Sequence, residues 1–267
     1  MIDVGIIGIG IVGSAILHGF KKLGHNVCFH DIQYKTTIED VLDTKVCFIC
    51  VPTPSDKEGR CDVSIVEEVI SELSQREYKG IVAIKSTVEP GATQRLSDKF
   101  EDLNICFVPE FLRERCAISD FIDNHDLCVI GTECPKTYNF IKEIHGTYPE
   151  EFVRLTATEA EFVKYFNNIY NATLITFANN FYEVCESLDV NYTNVKNAIV
   201  KRKHIVNSYL DCNKNFRGFG GACLPKDTKA IAHLVKEKQL PSTFFEMLLE
   251  QNSRYVTTVF DGMRKGD

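Results

Sequence analysis

The strongest constraint on the fold is a glycine pattern near the start of the chain. The sequence GIGIVG at residues 8–13 fits G-x-G-x-x-G and lies between a predicted strand at residues 4–8 and a predicted helix at residues 11–23. About 18 residues further on, Asp31 closes a second predicted strand, at residues 27–31. A strand, a glycine turn, a helix and a strand in this order predict a βαβ unit with two parallel strands.

Each glycine of this pattern has a distinct physical role at a dinucleotide site. Gly8 permits the tight turn, Gly10 lets the backbone approach a pyrophosphate, and Gly13 allows the helix to pack closely on the strand. Ile11 and Val12 open the helix, whose N-terminus favours the phosphate charge. We therefore predict that these five residues contact a dinucleotide. The alternative is a glycine turn in an α/β protein that binds no nucleotide.

Asp31 bears on which dinucleotide would bind. Its carboxylate is able to accept hydrogen bonds from ribose hydroxyls and would repel a 2′-phosphate, so NAD is favoured over NADP. Lys35 lies nearby and leaves NADP open as an alternative.

The remainder of the chain predicts two kinds of architecture. Short apolar strands alternate with helices up to residue 144, which indicates a Rossmann-type, mostly parallel α/β sheet with helices on both faces, followed by an α-helical domain. We predict an NAD-binding domain at residues 1–155 and a helical substrate and dimerisation domain at residues 156–267. The predicted strands are 46–51, 81–85, 105–108 and 127–130, and the predicted helices are 63–73, 136–144, 158–188, 193–209, 227–237 and 242–260.

Charge and composition narrow the classes of partner. The formal net charge is −7, which argues against nucleic acid or an anionic membrane surface as the main partner. No apolar run reaches the ~18 residues of a membrane span. The seven histidines are scattered without metal-ligand spacing, so no metal is expected. Eleven cysteines without an export signal indicate free thiols in a reducing compartment, and hence a cytoplasmic location.

Five further segments carry a recognisable pattern. In chain order they are VPTP at 51–54, KSTV at 85–88, PEFLRE at 109–114, AEFVKYFNN at 160–168 and GFGGACLPKD at 218–227. Together with the glycine pattern this set resembles the UDP-glucose/GDP-mannose dehydrogenase family, from residue 1 to about residue 260. The resemblance implies NAD-dependent oxidation of a sugar primary alcohol to a carboxylate in two hydride transfers, with a nucleotide sugar as the small-molecule substrate.

The resemblance implies that Cys223 is the nucleophile. A thiolate adds to an aldehyde to give a thiohemiacetal, which loses hydride to form a thioester. Cys223 lies in a glycine-rich turn close to Lys226, and a nearby cation stabilises a thiolate. The alternative, a buried and inert cysteine, fits most of the other ten.

Polar residues of the quoted segments supply the remaining roles that the resemblance implies. Lys164 stabilises the developing oxyanion and Asn168, four residues later on one helix face, positions the substrate. Asp227 works with the lysine and an ordered water, although it would also suit an N-cap of the helix that follows. Glu110 acts as general acid and base in thioester hydrolysis, for which a raised pKa would suit. Thr87 orders a water. Further cofactor contacts are implied for Val51, Thr53, Thr87, Glu114 and Lys226, and further substrate contacts for Phe111, Leu112, Glu114, Tyr209, Phe219 and Gly220.

Three departures from the family pattern concern substrate binding. Full-length members carry a further nucleotide-binding domain, whereas this chain ends at Asp267. His204 takes the place of a family arginine that reaches the partner subunit's active site. The loop at residues 211–217 is about three residues longer than usual. The NAD and cysteine chemistry is therefore better supported than the identity of the substrate.

Two other functions stay open at this point. A short β-hydroxyacid dehydrogenase also pairs a Rossmann domain with a helical domain and a helix lysine, but it needs no catalytic cysteine. A non-catalytic NAD-binding or dimerising module is the second alternative. We also expect a homodimer formed through the helical domain, by residues 242–260 or by the long helix near Lys164.

Overall fold

The computed structural model describes residues 1–255. The chain divides into two compact units. The first comprises Met1–Pro54 and Cys61–Lys164, and the second comprises Ser55–Arg60 and Tyr165–Asp267. One long helix, Ala157–Glu186, contributes residues to both units. The functional domains assigned above, at residues 1–155 and 156–267, remain a prediction.

The first unit contains a seven-stranded sheet in the order β2-β1-β3-β4-β5-β6-β7. Its neighbouring strands are parallel except β5 and β6, which meet in antiparallel fashion at Phe107 and Gly131. The predicted mostly parallel sheet is therefore confirmed. The strands are β1 Asp3–Ile7, β2 Asn26–His30, β3 Val46–Ile49, β4 Ile81–Ile84, β5 Asn104–Phe107, β6 Leu127–Gly131 and β7 Glu151–Leu155.

Apolar side chains cover both faces of this sheet. One face packs against α2 and α3 through a core that includes Ile49, Ile84 and Ile70. The opposite face packs against α1, α4 and α5 through a core that includes Phe48 and Phe20. Burial on both faces explains why β3 and β4 read as unbroken apolar runs. The helices are α1 Ile11–Lys22, α2 Ser64–Gln75, α3 Ala92–Lys99, α4 Ala117–Ile122 and α5 Pro135–His145.

The second unit is mainly helical, and its described residues 200–223 form turns and one isolated antiparallel bridge between Asn213 and Phe216. It contains the later part of α6 (Ala157–Glu186) together with α7 Tyr192–Ile199, α8 Leu224–Glu237 and α9 Phe244–Ser253. One apolar cluster joins Tyr165 and Ile169 of α6 to Ile231 of α8 and Leu248 of α9. A second surrounds Ala178 and Tyr192. The two clusters hold the long helix against its neighbours.

Three helical predictions need correction. The helix predicted at 193–209 ends at Ile199, and turns follow it. The helix predicted at 227–237 begins three residues earlier, at Leu224. The helix predicted at 242–260 spans Phe244–Ser253, and residues 256–260 lie outside the described residues.

Candidate active site

The carboxyl ends of five neighbouring strands carry residues that the sequence singled out. Asp31 follows β2, Gly8 follows β1, Val51 follows β3, Thr87 follows β4 and Glu110 follows β5, each within three residues of the strand end. Because β1 to β5 are mutually parallel, these ends lie along one edge of the sheet. Ligands bind at this edge in open α/β sheets.

The backbone of the glycine turn accepts no side chain at two of its three glycines. Gly8 has φ +92°, and a Cβ there would lie 2.7 Å from the carbonyl oxygen of Cys50. A Cβ on Gly13 would lie 1.9 Å from the oxygen of Gly8. At Gly10, by contrast, a Cβ would meet no heavy atom within 4 Å, and the residue is exposed. Gly10 therefore leaves open space where a ligand is able to approach the backbone.

The start of α1 suits an anion. The N-cap residue Gly10 offers no side-chain cap, and the first turn, which includes Ile11 and Val12, contains no acidic residue. Backbone N–H groups at such a helix end are available to phosphate oxygens, and the helix dipole favours negative charge there. The turn and the helix end thus fit the pyrophosphate of a dinucleotide.

Asp31 both shapes the turn and remains available to a ligand. Its Oδ2 accepts a hydrogen bond from Ile9 N at 2.6 Å, and Oδ1 accepts one from Gln33 N at 2.8 Å. The residue is half-buried, whereas Lys35 is exposed. The carboxylate is therefore fixed beside the glycine turn, in the position expected for a ribose contact.

Hydrogen bonds connect the segments that follow β3 and β4. Ser86 Oγ donates to Val51 O at 2.6 Å, and Cys61 Sγ donates to Thr87 O at 3.2 Å and to Thr53 O at 4.0 Å. Thr53 is buried and Thr87 half-buried. Sequence reasoning did not assign any role to Ser86 or Cys61, since neither stands out without the contact that it makes.

Glu110 and Lys164 form an ion pair inside the first unit. Lys164 Nζ lies 2.9 Å from Glu110 Oε1 and donates to the Glu110 carbonyl oxygen at 2.6 Å. The side chains are only 9% and 4% exposed. Leu112 N donates to Glu110 Oε2 at 2.7 Å. The carboxylate is thus satisfied on both oxygens.

The ionisation of Glu110 differs from the expectation. Burial raises the pKa of the carboxyl, but the charge of Lys164 and the hydrogen bonds from Lys164 and Leu112 N outweigh it, so the pKa lies below its ordinary value. The raised pKa expected for this residue is therefore wrong. The lysine that causes the difference is 54 residues away in sequence.

Lys85 is a buried cation that the sequence analysis quoted but did not use. It is 4% exposed, and Nζ donates to Val108 O at 3.1 Å and to Pro109 O at 3.5 Å. Burial lowers its pKa, and the charge of Glu110 opposes this. Lys85 therefore holds the backbone that immediately precedes Glu110.

The residues after Glu110 are less enclosed. The Phe111 ring centroid lies 5.9 Å from Lys164 Nζ, and Leu112 is half-buried. Glu114 is exposed at the start of a short 3₁₀ turn, Glu114–Cys116. The turn is fixed by Arg113, whose guanidinium donates to Asp120 at 2.6 and 3.0 Å.

In the second unit, polar side chains gather around the start of α8. Cys223 is exposed and is the N-cap residue of this helix. Asp227 is fully buried, and its Oδ2 accepts a hydrogen bond from Asn168 Nδ2 at 2.6 Å. Lys226 Nζ lies 2.7 Å from Asp227 Oδ1, and Asn167 Nδ2 donates to Asn168 Oδ1 at 3.0 Å. Because α8 begins at Leu224, Asp227 lies inside its first turn, and the alternative role as N-cap is wrong.

Other predicted residues of this unit vary in exposure. Phe219 is 1% exposed and Gly220 half-buried, while Tyr209 is exposed in a left-handed backbone conformation with φ +59°. His204, exposed after α7, lines an apolar groove of about 750 Å³ together with Phe177 of α6.

Six of the eleven cysteines are buried. All eleven cysteines are described, and none is in a disulfide. Cys47 and Cys50 pack on opposite faces of the sheet, and burial raises the pKa of Cys50 to about 12. Within residues 1–255 no group of three or more His, Cys, Asp or Glu side chains is placed to bind a metal. No helix in this range has the length and apolar character needed to cross a bilayer.

The sheet, its glycine turn and Asp31 define a Rossmann-type dinucleotide-binding protein. The NAD-binding domain model of the UDP-glucose/GDP-mannose dehydrogenase family matches residues 33–148, and the central domain model of that family matches residues 158–254. The chain belongs to the UDP-glucose/GDP-mannose dehydrogenase family, and its cofactor is NAD.

Individual relatives agree with this assignment. The chain is 31% identical over 231 residues to a UDP-glucose 6-dehydrogenase of Rickettsia bellii, covering 84% of this chain and 52% of the relative. It is 32% identical over 235 residues to a GDP-mannose 6-dehydrogenase of Pseudomonas aeruginosa, covering 83% and 53%. The chain thus spans about half the length of these curated relatives. A solved UDP-glucose dehydrogenase from Pyrobaculum islandicum is similar with TM-score 0.87 and 26% identity, covering 100% of this chain and 72% of that one.

Proposed function

We propose that this chain catalyses NAD-dependent oxidation of a nucleotide-sugar primary alcohol to a carboxylate, with UDP-glucose or a related nucleotide sugar as substrate. The observation that carries the proposal is the Asn168–Asp227–Lys226 cluster in the first turn of α8, where the backbone N–H of the buried Asp227 donates to the carbonyl oxygen of Cys223 at 2.9 Å. Asp227 is a fully buried carboxylate with a hydrogen bond from an amide on Oδ2, but within residues 1–255 its Oδ1 faces the Lys226 ammonium without a hydrogen bond. Such a group is costly to maintain for stability alone. Its retention beside an exposed thiol supports a chemical role.

The cofactor residues are assigned first. The glycine turn and the start of α1 hold the pyrophosphate, and Asp31 holds a ribose; further contacts are proposed for Lys35, Val51, Thr53, Thr87, Glu114 and Lys226. When bound, NAD supplies the hydride acceptor for both oxidations. The absence of any acidic residue in the first turn of α1 supports this assignment.

In the first oxidation the alcohol loses its hydroxyl proton to an ordered water, while hydride leaves the carbinol carbon. A water-ordering role is proposed for Asp227 and, separately, for Thr87. Lys164 stabilises the negative charge that develops on the oxygen, and Asn168 orients the sugar. The Cys223 thiolate then adds to the aldehyde carbon, and the carbonyl oxygen takes up a proton to give a thiohemiacetal. The aldehyde is thereby retained between the two oxidations.

In the second oxidation the thiohemiacetal gives up its hydroxyl proton to an ordered water and a hydride from the same carbon, which yields a thioester. Water then attacks the thioester carbon and expels the thiolate, with Glu110 accepting the proton of that water. The lowered pKa of Glu110 supports its role as a base, because the carboxylate is ionised at neutral pH. Substrate contacts are proposed for Phe111, Leu112, Glu114, Tyr209, Phe219 and Gly220.

The stoichiometry of NADH tests this function. Purified protein is mixed with NAD and with UDP-glucose, and in parallel with GDP-mannose, and NADH formed per sugar consumed is counted. Two NADH per sugar are expected, and Cys223→Ser is expected to abolish the second. Cys134→Ser is the matched control, since Cys134 is also exposed but lies at the start of α5. One NADH per substrate would favour the β-hydroxyacid dehydrogenase alternative, and no NADH with any nucleotide sugar would favour the non-catalytic module.

We also propose that the chain forms a homodimer through the helical unit. Phe166, Tyr170, Phe177, Phe181 and Val184 of α6 are each at least 44% exposed, an unusually large apolar surface for one helix. A second copy of the chain is the proposed occupant, because the residues recur at helical spacing along the whole element. Light scattering coupled to gel filtration tests this, and a Phe177→Glu variant is expected to elute as a monomer.

A cytoplasmic location is proposed from the eleven cysteines outside disulfides.

A further inference from the structure

The segment at residues 217–223, here called the cysteine loop, leads directly into α8 and ends at Cys223, the N-cap residue of that helix. Its first three residues are bound by side chains from two other helices, α6 and α9. These side chains lie outside every segment on which the assignment of function rests. Their contacts all fall within the second unit.

Asn179 of α6 binds the entry of the cysteine loop. The residue is 1% exposed, and its Oδ1 accepts hydrogen bonds from Gly218 N at 3.0 Å and Arg217 Nε at 2.7 Å. Its Nδ2 donates to Ile175 O within its own helix. The buried amide is thus used on both sides, and its oxygen is directed to the loop.

Asn252 of α9 binds the next residue of the loop on both of its backbone groups. Oδ1 accepts from Phe219 N at 2.6 Å, and Nδ2 donates to Phe219 O at 2.8 Å. Asn252 is 4% exposed. Gly218, with φ +70°, is packed so closely that a Cβ there would lie 2.9 Å from Asn252 Oδ1. The position of the loop backbone is therefore fixed to α9 at contact distance.

Arg217 adds a third connection. Its guanidinium carbon lies 4.9 Å from the ring centroid of Tyr182 in α6 and 4.2 Å from that of Tyr255, two residues after the end of α9. Nη2 donates to Glu183 at 3.0 Å, and the side chain is only 11% exposed. An arginine enclosed in this way stacks and forms hydrogen bonds at fixed geometry, which a lysine does not reproduce in full.

We propose that Asn179, Arg217 and Asn252, here called the loop clamp, are positioning residues that hold Cys223 at the N-terminus of α8 in the geometry its chemistry needs. The inference rests on the proposed function of Cys223 as nucleophile. Hydrogen bonds from two helices to consecutive residues 217–219 restrict the loop four to six positions before the thiol. A small displacement of a reacting group is enough to slow a reaction by an order of magnitude or more.

The test compares Asn179→Ala, Asn252→Ala and Arg217→Met with the full chain. Alkylation of Cys223 by iodoacetamide is measured across pH by quantifying the Cys223 peptide in a mass spectrometer, and kcat and KM are measured with NAD and a nucleotide sugar. We expect the pH midpoint of Cys223 alkylation to shift and kcat to fall about tenfold, with KM within about twofold of the wild-type value.

Matched controls are present on the same helices. Among residues 1–255, the side chain of Asn180 in α6 donates to Thr176 O and that of Ser253 in α9 donates to Glu250 O, each within its own helix. Asn180→Ala and Ser253→Ala are expected to leave both the alkylation profile and kcat unchanged. Arg217→Lys is expected to recover part of the loss seen in Arg217→Met, since it restores the charge beside Glu183.

The outcomes separate a positioning role from a purely structural one. If the clamp variants lower the melting temperature but retain the wild-type alkylation profile and kcat, the proposal is overturned. Should either asparagine variant fail to fold, the Arg217 pair decides, because it removes no buried amide. Failure of the proposed function has a different signature: the wild-type chain would form no NADH, while the alkylation measurements, which need no substrate, would still report on the clamp.

Discussion

Lys164 Nζ and Glu110 Oε1 lie 2.9 Å apart, in an ion pair whose two side chains are almost completely buried. The pair joins the turn after β5 to the long helix α6 within the first unit. A second cation, Lys85, binds the carbonyl oxygens of Val108 and Pro109 directly before Glu110. Two buried lysines thus act on one carboxylate, and the Glu110 charge is compensated without solvent.

Removal of one partner of this pair should be costly. Lys164→Met leaves Glu110 buried beside Lys85 alone, and we expect the free energy of unfolding at pH 7 to fall by about 3 kcal/mol. The double variant Lys164→Met/Glu110→Gln should recover about half of that loss, since the carboxylate charge is then removed while Lys85 loses its carboxylate partner but keeps its bonds to the carbonyl oxygens of Val108 and Pro109. Urea denaturation followed by circular dichroism measures both quantities.

The exposed pair Arg95–Glu89 is the control for this cycle. Its side chains are 51% and 37% exposed, so Arg95→Met should change the free energy of unfolding by less than about 1 kcal/mol. Equal losses for the buried and the exposed pair would contradict a special contribution from burial.

Lys85 should influence the ionisation of Glu110. The pKa of Glu110 is raised by burial and lowered by the charges of Lys164 and Lys85, so that Lys85→Met is expected to raise it. A general base is inactive when it is protonated. If its pKa rises, activity is therefore already lost at a higher pH as the solution is made more acidic. The acid limb of the pH dependence of kcat should therefore move to higher pH in Lys85→Met. Lys45, exposed directly before β3, provides the control variant Lys45→Met, which should leave the limb in place.

The groups that face Lys85 limit how this experiment is interpreted. Cys50, Cys106 and Cys128 lie nearby, and burial raises the pKa of each to about 12, so none of them titrates near neutral pH. The charge of Lys85 also lowers the pKa of His125 and of His145. A shift in the acid limb is therefore assigned to Glu110 when Lys85→Met still produces it in the His125→Phe and His145→Phe backgrounds. A limb that stays unchanged in Lys85→Met would show that Lys164 alone sets the charge state.

Much of the cofactor domain could be predicted from local patterns. Gly8, Gly13 and Asp31 act within one βαβ unit, so their roles are visible over about 24 residues of sequence. The sequence did not predict the edge strand β7, Glu151–Leu155. Three of its five residues are exposed and none is buried, so apolar and polar residues do not alternate clearly along it. The polar helix α3, Ala92–Lys99, was missed for the same reason, since only three of its residues are buried.

What sequence reasoning could not supply was pairing over long separations. The lowered pKa of Glu110 depends on Lys164, and the placement of Phe219 depends on Asn252, 33 residues later. Asparagine and lysine residues occur throughout the chain, and nothing local distinguishes those that are buried and bonded. Even so, the helix that carries Cys223 was placed within three residues of its observed start.

A buried histidine should make the fold sensitive to acid. His145 is 0% exposed, surrounded by Phe20, Phe48 and Phe121, with Nδ1 hydrogen-bonded to Ile141 O at 2.8 Å. Burial lowers the pKa of His145 well below its ordinary value. Burial also lowers the pKa of the adjacent His125, to about 4. The unfolded chain therefore takes up protons before the folded chain as the pH falls.

It follows that the free energy of unfolding decreases as the pH falls from about 6.5 to about 4, by about 3 kcal/mol for His125 at the lower end. His145 adds to this loss, because burial lowers its pKa as well. His145→Phe should flatten the dependence in this window. His18→Gln, on the exposed side of α1, should leave it as it is. Chemical denaturation at a series of pH values measures the slope, and equal slopes in wild type and His145→Phe would exclude His145 as the cause.

The three glycines of the turn should separate folding from cofactor binding. Gly13→Ala places a Cβ 1.9 Å from the Gly8 carbonyl oxygen, so it forces the helix away from the strand and should cost about 3 kcal/mol or more of stability.

Gly10→Ala meets no protein atom within 4 Å, and its φ of −77° is accessible to alanine. Gly10→Ala should therefore change the free energy of unfolding by less than about 1 kcal/mol, while its methyl group occupies the space that the pyrophosphate needs. We expect NAD affinity, measured by isothermal titration calorimetry, to fall at least about tenfold in Gly10→Ala. Wild-type affinity in this variant would place the pyrophosphate elsewhere on the sheet edge.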